Sequence, residues 1–192
     1  MNQLQQAGQP QSPGQRQQST GGEQPRIQMF PTQNYLPEDV RVGVIERLNR
    51  TLADTTVLMT YAKFAHWNVK GRGFYALHQL FDEIGEVLER HADELAERIT
   101  ALGGQARGTA GMAVADCTLS PMPTDAITGQ QYVEVLADRI AVHDGNLFEA
   151  IQVTENYGDP DTADLLNEIS REISHYLWFL EAHLQTQPVG TV

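Results

Sequence analysis

At 192 residues and 21.3 kDa the chain is sized for one domain, or for one domain with an appendage. Its 41% hydrophobic content excludes wholesale disorder, no run reaches the roughly 18 to 20 apolar residues of a membrane span, and no secretory leader pattern opens the chain, so a soluble, cytoplasmic protein is expected. The net charge of -12, with Lys63 and Lys70 the only lysines, disfavours nucleic acid and anionic membranes and favours cations; the lone Cys117 excludes an internal disulfide or a cysteine-built zinc cluster and reads as a small buried or loop hydrophobe.

Residues 1–35 are expected to form a disordered tail. Eleven glutamines lie between Met1 and Gln33, interspersed with proline and glycine, and almost nothing there can offset the entropy of ordering. Arg16, Glu23 and Arg26 leave this tail nearly neutral, unlike a lysine-rich arm that grips DNA.

A first helix is expected to begin after Pro37 and run to about Asn68, with Glu38 and Asp39 favoured in its first turn and Val40, Val44, Leu48 and Leu52 at helical spacing. Gly71 and Gly73 interrupt the pattern. A second helix follows from Phe74 to Leu102 on an apolar stripe that includes Leu77, Phe81, Ile84, Leu88, Leu95 and Ile99, and Gly103 and Gly104 terminate it. Residues 105–128 lack periodicity and read as a long connection, with one short helical turn near Ala113. A third helix takes 129–157, the Tyr157-Gly158-Asp159-Pro160 segment turns the chain, and a fourth helix spans about 160–186. Tyr176 and Trp178 are expected in its core-facing stripe. Two short connections flanking one long one give an all-α, ferritin-like four-helix bundle with a crossover between the second and third helices, over residues 36–187, followed by a short tail at 188–192.

The second helix carries a second stripe. With His78 at zero and roughly 100° per residue, Asp82, Glu86, Glu89, Asp93 and Glu97 fall within about 100° of one another, beside the apolar face. Asp93 and Glu97 form an i,i+4 pair of carboxylates, which raises affinity for a cation, and His78 and Asp82 pair in the same way. His66 shares the azimuth of the first helix's apolar seam. Imidazole with carboxylate and open positions suits iron(II) and its oxidation. Yet His78 and Asp93 are about 22 Å apart along one helix, too far to share a metal within a chain. Either two separate sites exist, or His66 and His78 of one subunit face Asp93 and Glu97 of another across a twofold interface. An intrachain di-iron site would need two Glu-x-x-His pairs, and only Glu172 with His175 supplies one. His143 and His183 read as packed or interface residues, and His91 as a neighbour of the ligand stripe.

The run from His66 to Ile99, HWNVKGRGFYALHQLFDEIGEVLERHADELAERI, resembles the signature of the Dps family of mini-ferritins, and a weaker similarity extends over about residues 36–186 through GDPDTADLL and HYLWFLEAHL. The resemblance implies a dodecameric cage that oxidises iron(II) at a dinuclear intersubunit site, preferentially with hydrogen peroxide, oxygen being the other oxidant, and stores the ferric product; other divalent metals could also bind. It implies His66 and His78 as ligands from one subunit, Asp93 and Glu97 from its partner, Asp82 as an accessory acidic residue and Trp67 as the tryptophan beside the site. It further implies acidic threefold pores that admit iron near the turn between the third and fourth helices, where Glu155 and Asp164 match; Pro160 replaces an aspartate of some relatives, leaving Asp159 or Asp161 as substitutes. The competing reading is a structural nucleoid protein that shields DNA by binding it, with little iron chemistry. The acidic charge and near-neutral tail point to weak or absent DNA binding.

Overall fold

Residues 28–125 and 128–185 are described by the computed structural model, and among them the regular elements are all helices. The expected tails fall outside this range, up to residue 27 at one end and over 188–192 at the other. Pro37 lacks an amide to donate and begins α1, Glu38–Asn68, whose first turn carries Glu38 and Asp39 at the positive end of the helix dipole. Then follow α2, Phe74–Ala101, α3, Ala110–Asp116, α4, Gly129–Asn156, and α5, Pro160–Leu184.

Each boundary has a local cause. Gly103 adopts φ 86 after α2, which lets its amide donate to Thr100 and that of Gly104 to Ile99, so the last carbonyls are satisfied and the chain reverses. Thr128 caps α4 by accepting from the Gln131 amide while the Gln131 side chain accepts from the Thr128 amide. Asp159 caps α5, and Pro160 occupies the first helical position. Thr109 caps the seven-residue α3, which is the helical turn expected near Ala113.

Helix α1 runs antiparallel to α2, with His66 beside His78 and Lys63 beside Asp82, and antiparallel to α4, with Arg47 on Asn146 and Thr55 on His143. α4 and α5 form the second hairpin, and the segment carrying α3 returns the chain along α1. This is the expected ferritin-like connectivity. Leu48, Leu58, Phe81, Leu88, Leu95, Leu136, Ile140, Leu147, Leu166 and Ile169 are fully buried at its centre. No described helix is long and apolar enough to cross a membrane.

Two sequence expectations need correction. The ordered domain starts before residue 36: the Phe30 amide donates to Gly103 at 2.7 Å, Met29 packs on the core and Leu36 is buried, because the open end of α2 offers backbone and apolar surface to this segment. Trp178 is not in the core but 57% exposed, since α5 turns Ile173 and Leu180 inward instead.

Gly104 sits where a Cβ would lie 2.8 Å from two carbons of fully buried Ile45. Gly104→Ala should therefore destabilise the chain by about 1–3 kcal/mol, the usual cost of overpacking. Urea unfolding followed by circular dichroism checks this, and an unchanged midpoint would show that α1 yields freely at this point.

Candidate metal centre

The five-residue turn between α1 and α2 brings His66, in the last turn of α1, against His78, in the first turns of α2. Gly71 and Gly73 make that turn possible through φ values of 87 and 78. The two imidazoles stack with centroids 3.7 Å apart, and the Phe74 ring stacks on His78 at 5.1 Å. Their hydrogen bonds cross. His66 Nδ1 donates to the His78 carbonyl at 2.7 Å, and His78 Nδ1 donates to the His66 carbonyl at 2.9 Å. A carbonyl only accepts, so each Nδ1 carries a proton, and neutral imidazole then leaves Nε2 as a lone pair available to a metal. Backbone bonds that fix tautomer and ring plane are how metal-ligating histidines are held.

Asp82 lies one turn further along α2, 3.7 Å from His66 Nδ1. Lys63 Nζ donates to it at 2.6 Å, and this bond, helped by the charge of Lys63 and the neighbouring histidines, outweighs the opposing effect of burial and holds the Asp82 carboxyl below its ordinary range. The lysine stem lies flat on α2 because Gly85 leaves room, where a Cβ would come within 2.9 Å of Lys63 Cε. Lys63 escaped the sequence reading, although it sits three residues before His66 on the same helix face. Trp67 is 71% exposed.

Asp93 and Glu97 are exposed on α2, and their carboxylates make no hydrogen bond or ion pair within the described residues. Beside Asp93 a groove between α1 and α2 is lined by Leu52, Thr56, Met59 and Ala92 together with Glu86 and Glu89. Fifteen residues of helix separate His78 from Asp93, about 22 Å. Among the described residues no three metal-ligating side chains converge. Among its described residues one chain thus displays two separate groups of candidate ligands and joins neither to the other.

The structure sorts the remaining candidates. Asp159 is fully buried, bonded through one oxygen to Arg98 at 2.8 Å and engaged with Thr162 as the cap of α5, so its carboxylate is committed within the chain and is not free to line a pore. Glu155, Asp161 and Asp164 are exposed around it. Glu172 and His175 diverge: Glu172 accepts from Arg90 and His91, while His175 is exposed against the Phe179 ring at 4.3 Å. His91 and His143 are fully buried, whereas His183 is exposed and donates to the Phe179 carbonyl. Burial pushes the Cys117 thiol up to about 11, so it holds little thiolate and is a poor ligand or nucleophile.

Comparison with known proteins identifies relatives of the whole helical domain. The ferritin-like domain family matches residues 45–188. The chain is 38% identical over 154 residues to the DNA protection during starvation protein of Agrobacterium fabrum, covering 80% of this chain and 95% of that one. Among solved structures, an archaeal Dps homologue from Halobacterium salinarum superposes with a TM-score of 0.79 at 26% identity over 91% of this chain and 97% of its own. The Dps protein of Vibrio cholerae, a member of a broad superfamily of ferritin-like diiron-carboxylate proteins, superposes with a TM-score of 0.74 at 28% identity, over 78% of this chain and 93% of its own.

Proposed function

Because the chain belongs to the Dps family of ferritin-like proteins, we propose that it is a cytoplasmic ferroxidase and iron-storage protein that oxidises iron(II), preferentially with hydrogen peroxide, and keeps the ferric product inside a dodecameric cage. The observation that carries this reading is the stacked His66–His78 pair, with neither Nε2 engaged among the described residues, set about 22 Å along one helix from two carboxylates that likewise have no partner there. A twofold axis that places α2 against a partner's α1–α2 hairpin unites the two groups. The apolar residues beside Asp93 and the exposed Trp67 and Tyr75 beside the histidines support such a contact.

In that arrangement iron is substrate. His66 and the partner's Asp93 and Glu97 hold one iron(II), and the carboxylates favour iron(III) over iron(II) because they are anionic. His78 holds the second, with Asp82 as accessory once Lys63 is displaced. Two iron(II) ions each give one electron to hydrogen peroxide, the O–O bond breaks, and two protons complete two waters, so no hydroxyl radical is released. Trp67 beside the site intercepts a stray oxidising equivalent. Glu155, Asp161 and Asp164, exposed near the α4–α5 turn, are proposed to line the pores that admit iron; Asp159 is excluded by its bonds to Arg98 and Thr162.

Anaerobic iron(II) titration followed by peroxide tests the proposal. Two iron(II) oxidised per peroxide at one dinuclear site per chain is the expected stoichiometry; one iron per peroxide with hydroxyl radical trapped in solution would contradict it.

The relatives' names speak of DNA protection, and shielding DNA by binding it is the second reading. With a charge of -12, no retardation of duplex DNA is expected at physiological ionic strength without divalent cations, because phosphate contacts supply most non-specific affinity. A gel shift that fades steeply with salt would show that assembly gathers the arginines into a basic surface.

A further inference from the structure

Midway along the bundle two polar pairs join the long helices, Thr55 of α1 with His143 of α4 and His91 of α2 with Glu172 of α5, whose own side chain stays partly exposed. Both imidazoles are fully buried. His91 Nε2 lies 2.6 Å from Glu172 Oε2, which also accepts from Arg90 at 2.7 Å. Burial alone would raise the Glu172 carboxyl, but the bonds from Arg90 and His91 outweigh it and hold Glu172 below its ordinary value, so the carboxylate accepts and His91 Nε2 carries the proton. His143 Nε2 lies 3.3 Å from Thr55 Oγ1. The one proton of that hydroxyl goes to the Thr51 carbonyl at 2.8 Å, so the hydroxyl accepts here and His143 Nε2 is protonated too.

Each ring is left with a bare Nδ1 lone pair in the core, and neither atom has a hydrogen-bond partner among the described residues. A buried acceptor without a donor is destabilising, and buried polar atoms of this kind call for an occupant. Burial disfavours charge on both rings and holds each imidazole below its ordinary value, with Arg90 adding to the effect at His91 and the neighbouring His91 adding to it at His143; Glu172 and Glu94 at the one, and Asp54 and Asp144 at the other, oppose it only in part, so both rings are neutral and each keeps its Nδ1 lone pair. An imidazole whose far nitrogen donates to a carboxylate or hydroxyl while its near nitrogen stays bare has the support of a metal ligand.

We propose that the bundle interior is a second metal site, within one chain, in which His91 Nδ1 and His143 Nδ1 bind one transition-metal cation of the imidazole-preferring class. It shares no residue with the intersubunit site. It also differs from a di-iron centre built on Glu-x-x-His pairs, because Glu172 secures His91 and His175 lies outside. The chain supplies two donors and water completes the coordination sphere.

Cobalt(II) tests this in full-length protein carrying His66→Ala, His78→Ala, Asp93→Ala and Glu97→Ala, so that the outcome does not depend on the proposed ferroxidase site. After metal removal and cobalt loading, this protein should retain one more cobalt per chain than the same protein with His143→Leu added, a change that replaces the bare acceptor by carbon. X-ray absorption on the loaded protein should show two imidazole nitrogens at the retained cobalt, a readout that holds even if the leucine variant folds poorly. Retention that is unchanged when His91 and His143 are both replaced, or a cobalt without imidazole ligands, would overturn the proposal and leave the two Nδ1 atoms to water.

Discussion

Asp93→Ala should lower the rate of peroxide-driven iron(II) oxidation by at least about a hundredfold, the scale expected when a metal loses an anionic ligand. Glu97→Ala and His66→Ala should do the same. Asp93→Ala and Glu97→Ala should cost little stability, because both side chains are exposed and their carboxylates make no hydrogen bond or ion pair among the described residues. Removing one of two adjacent like charges is, if anything, mildly stabilising to an isolated helix. His78→Ala should be milder, since one iron keeps its ligands, although the stacking partner of His66 is lost. Stopped-flow absorbance after peroxide addition reads the rate, and the thermal midpoint reads the fold. Wild-type kinetics in Asp93→Ala would remove this carboxylate from the chemistry.

The second large effect is a recovery. A His66→Ala, His78→Ala chain and an Asp93→Ala, Glu97→Ala chain should each be inactive, and their coassembly should restore oxidation. In a mixed twofold pair one site receives all its ligands and the other none. Random mixing makes half the pairs mixed, so activity should return to roughly a quarter of the wild-type site count. At about 1.5 Å of rise per residue no rotamer closes a gap of about 22 Å within α2. No recovery in mixed assemblies of verified composition would place each site within a single chain.

Much of this architecture is written in local signals. The glycines at 71, 73, 103 and 104, the capping threonine at 128 and Pro160 mark helix ends through backbone conformations and hydrogen bonds that need no tertiary partner. The placement of the two groups of candidate ligands is legible for a similar reason, since helical periodicity fixes which residues share a face and how far apart they lie.

What sequence could not reach were side chains whose roles depend on a neighbour distant in the chain. Lys63 acquires its importance from Asp82, nineteen positions away, and from the absence of a side chain at Gly85. Asp159 reads as one more acidic residue in an acidic turn until Arg98 of another helix is found bonded to it. His91, on the edge of the ligand stripe, turns into the core instead because Glu172 of α5 receives it. Trp178 shows the opposite failure: its hydrophobicity suggested the core, but α5 has more apolar residues than one inward face accommodates, and Trp178 remains exposed.

Anomalous diffraction at the iron edge from the assembled protein, loaded anaerobically with iron(II), tests the central claim most directly. Iron is expected at twofold interfaces, bound to His66 Nε2 of one subunit and to the partner subunit's Asp93 and Glu97. Interfaces without anomalous density at saturating iron would contradict that account.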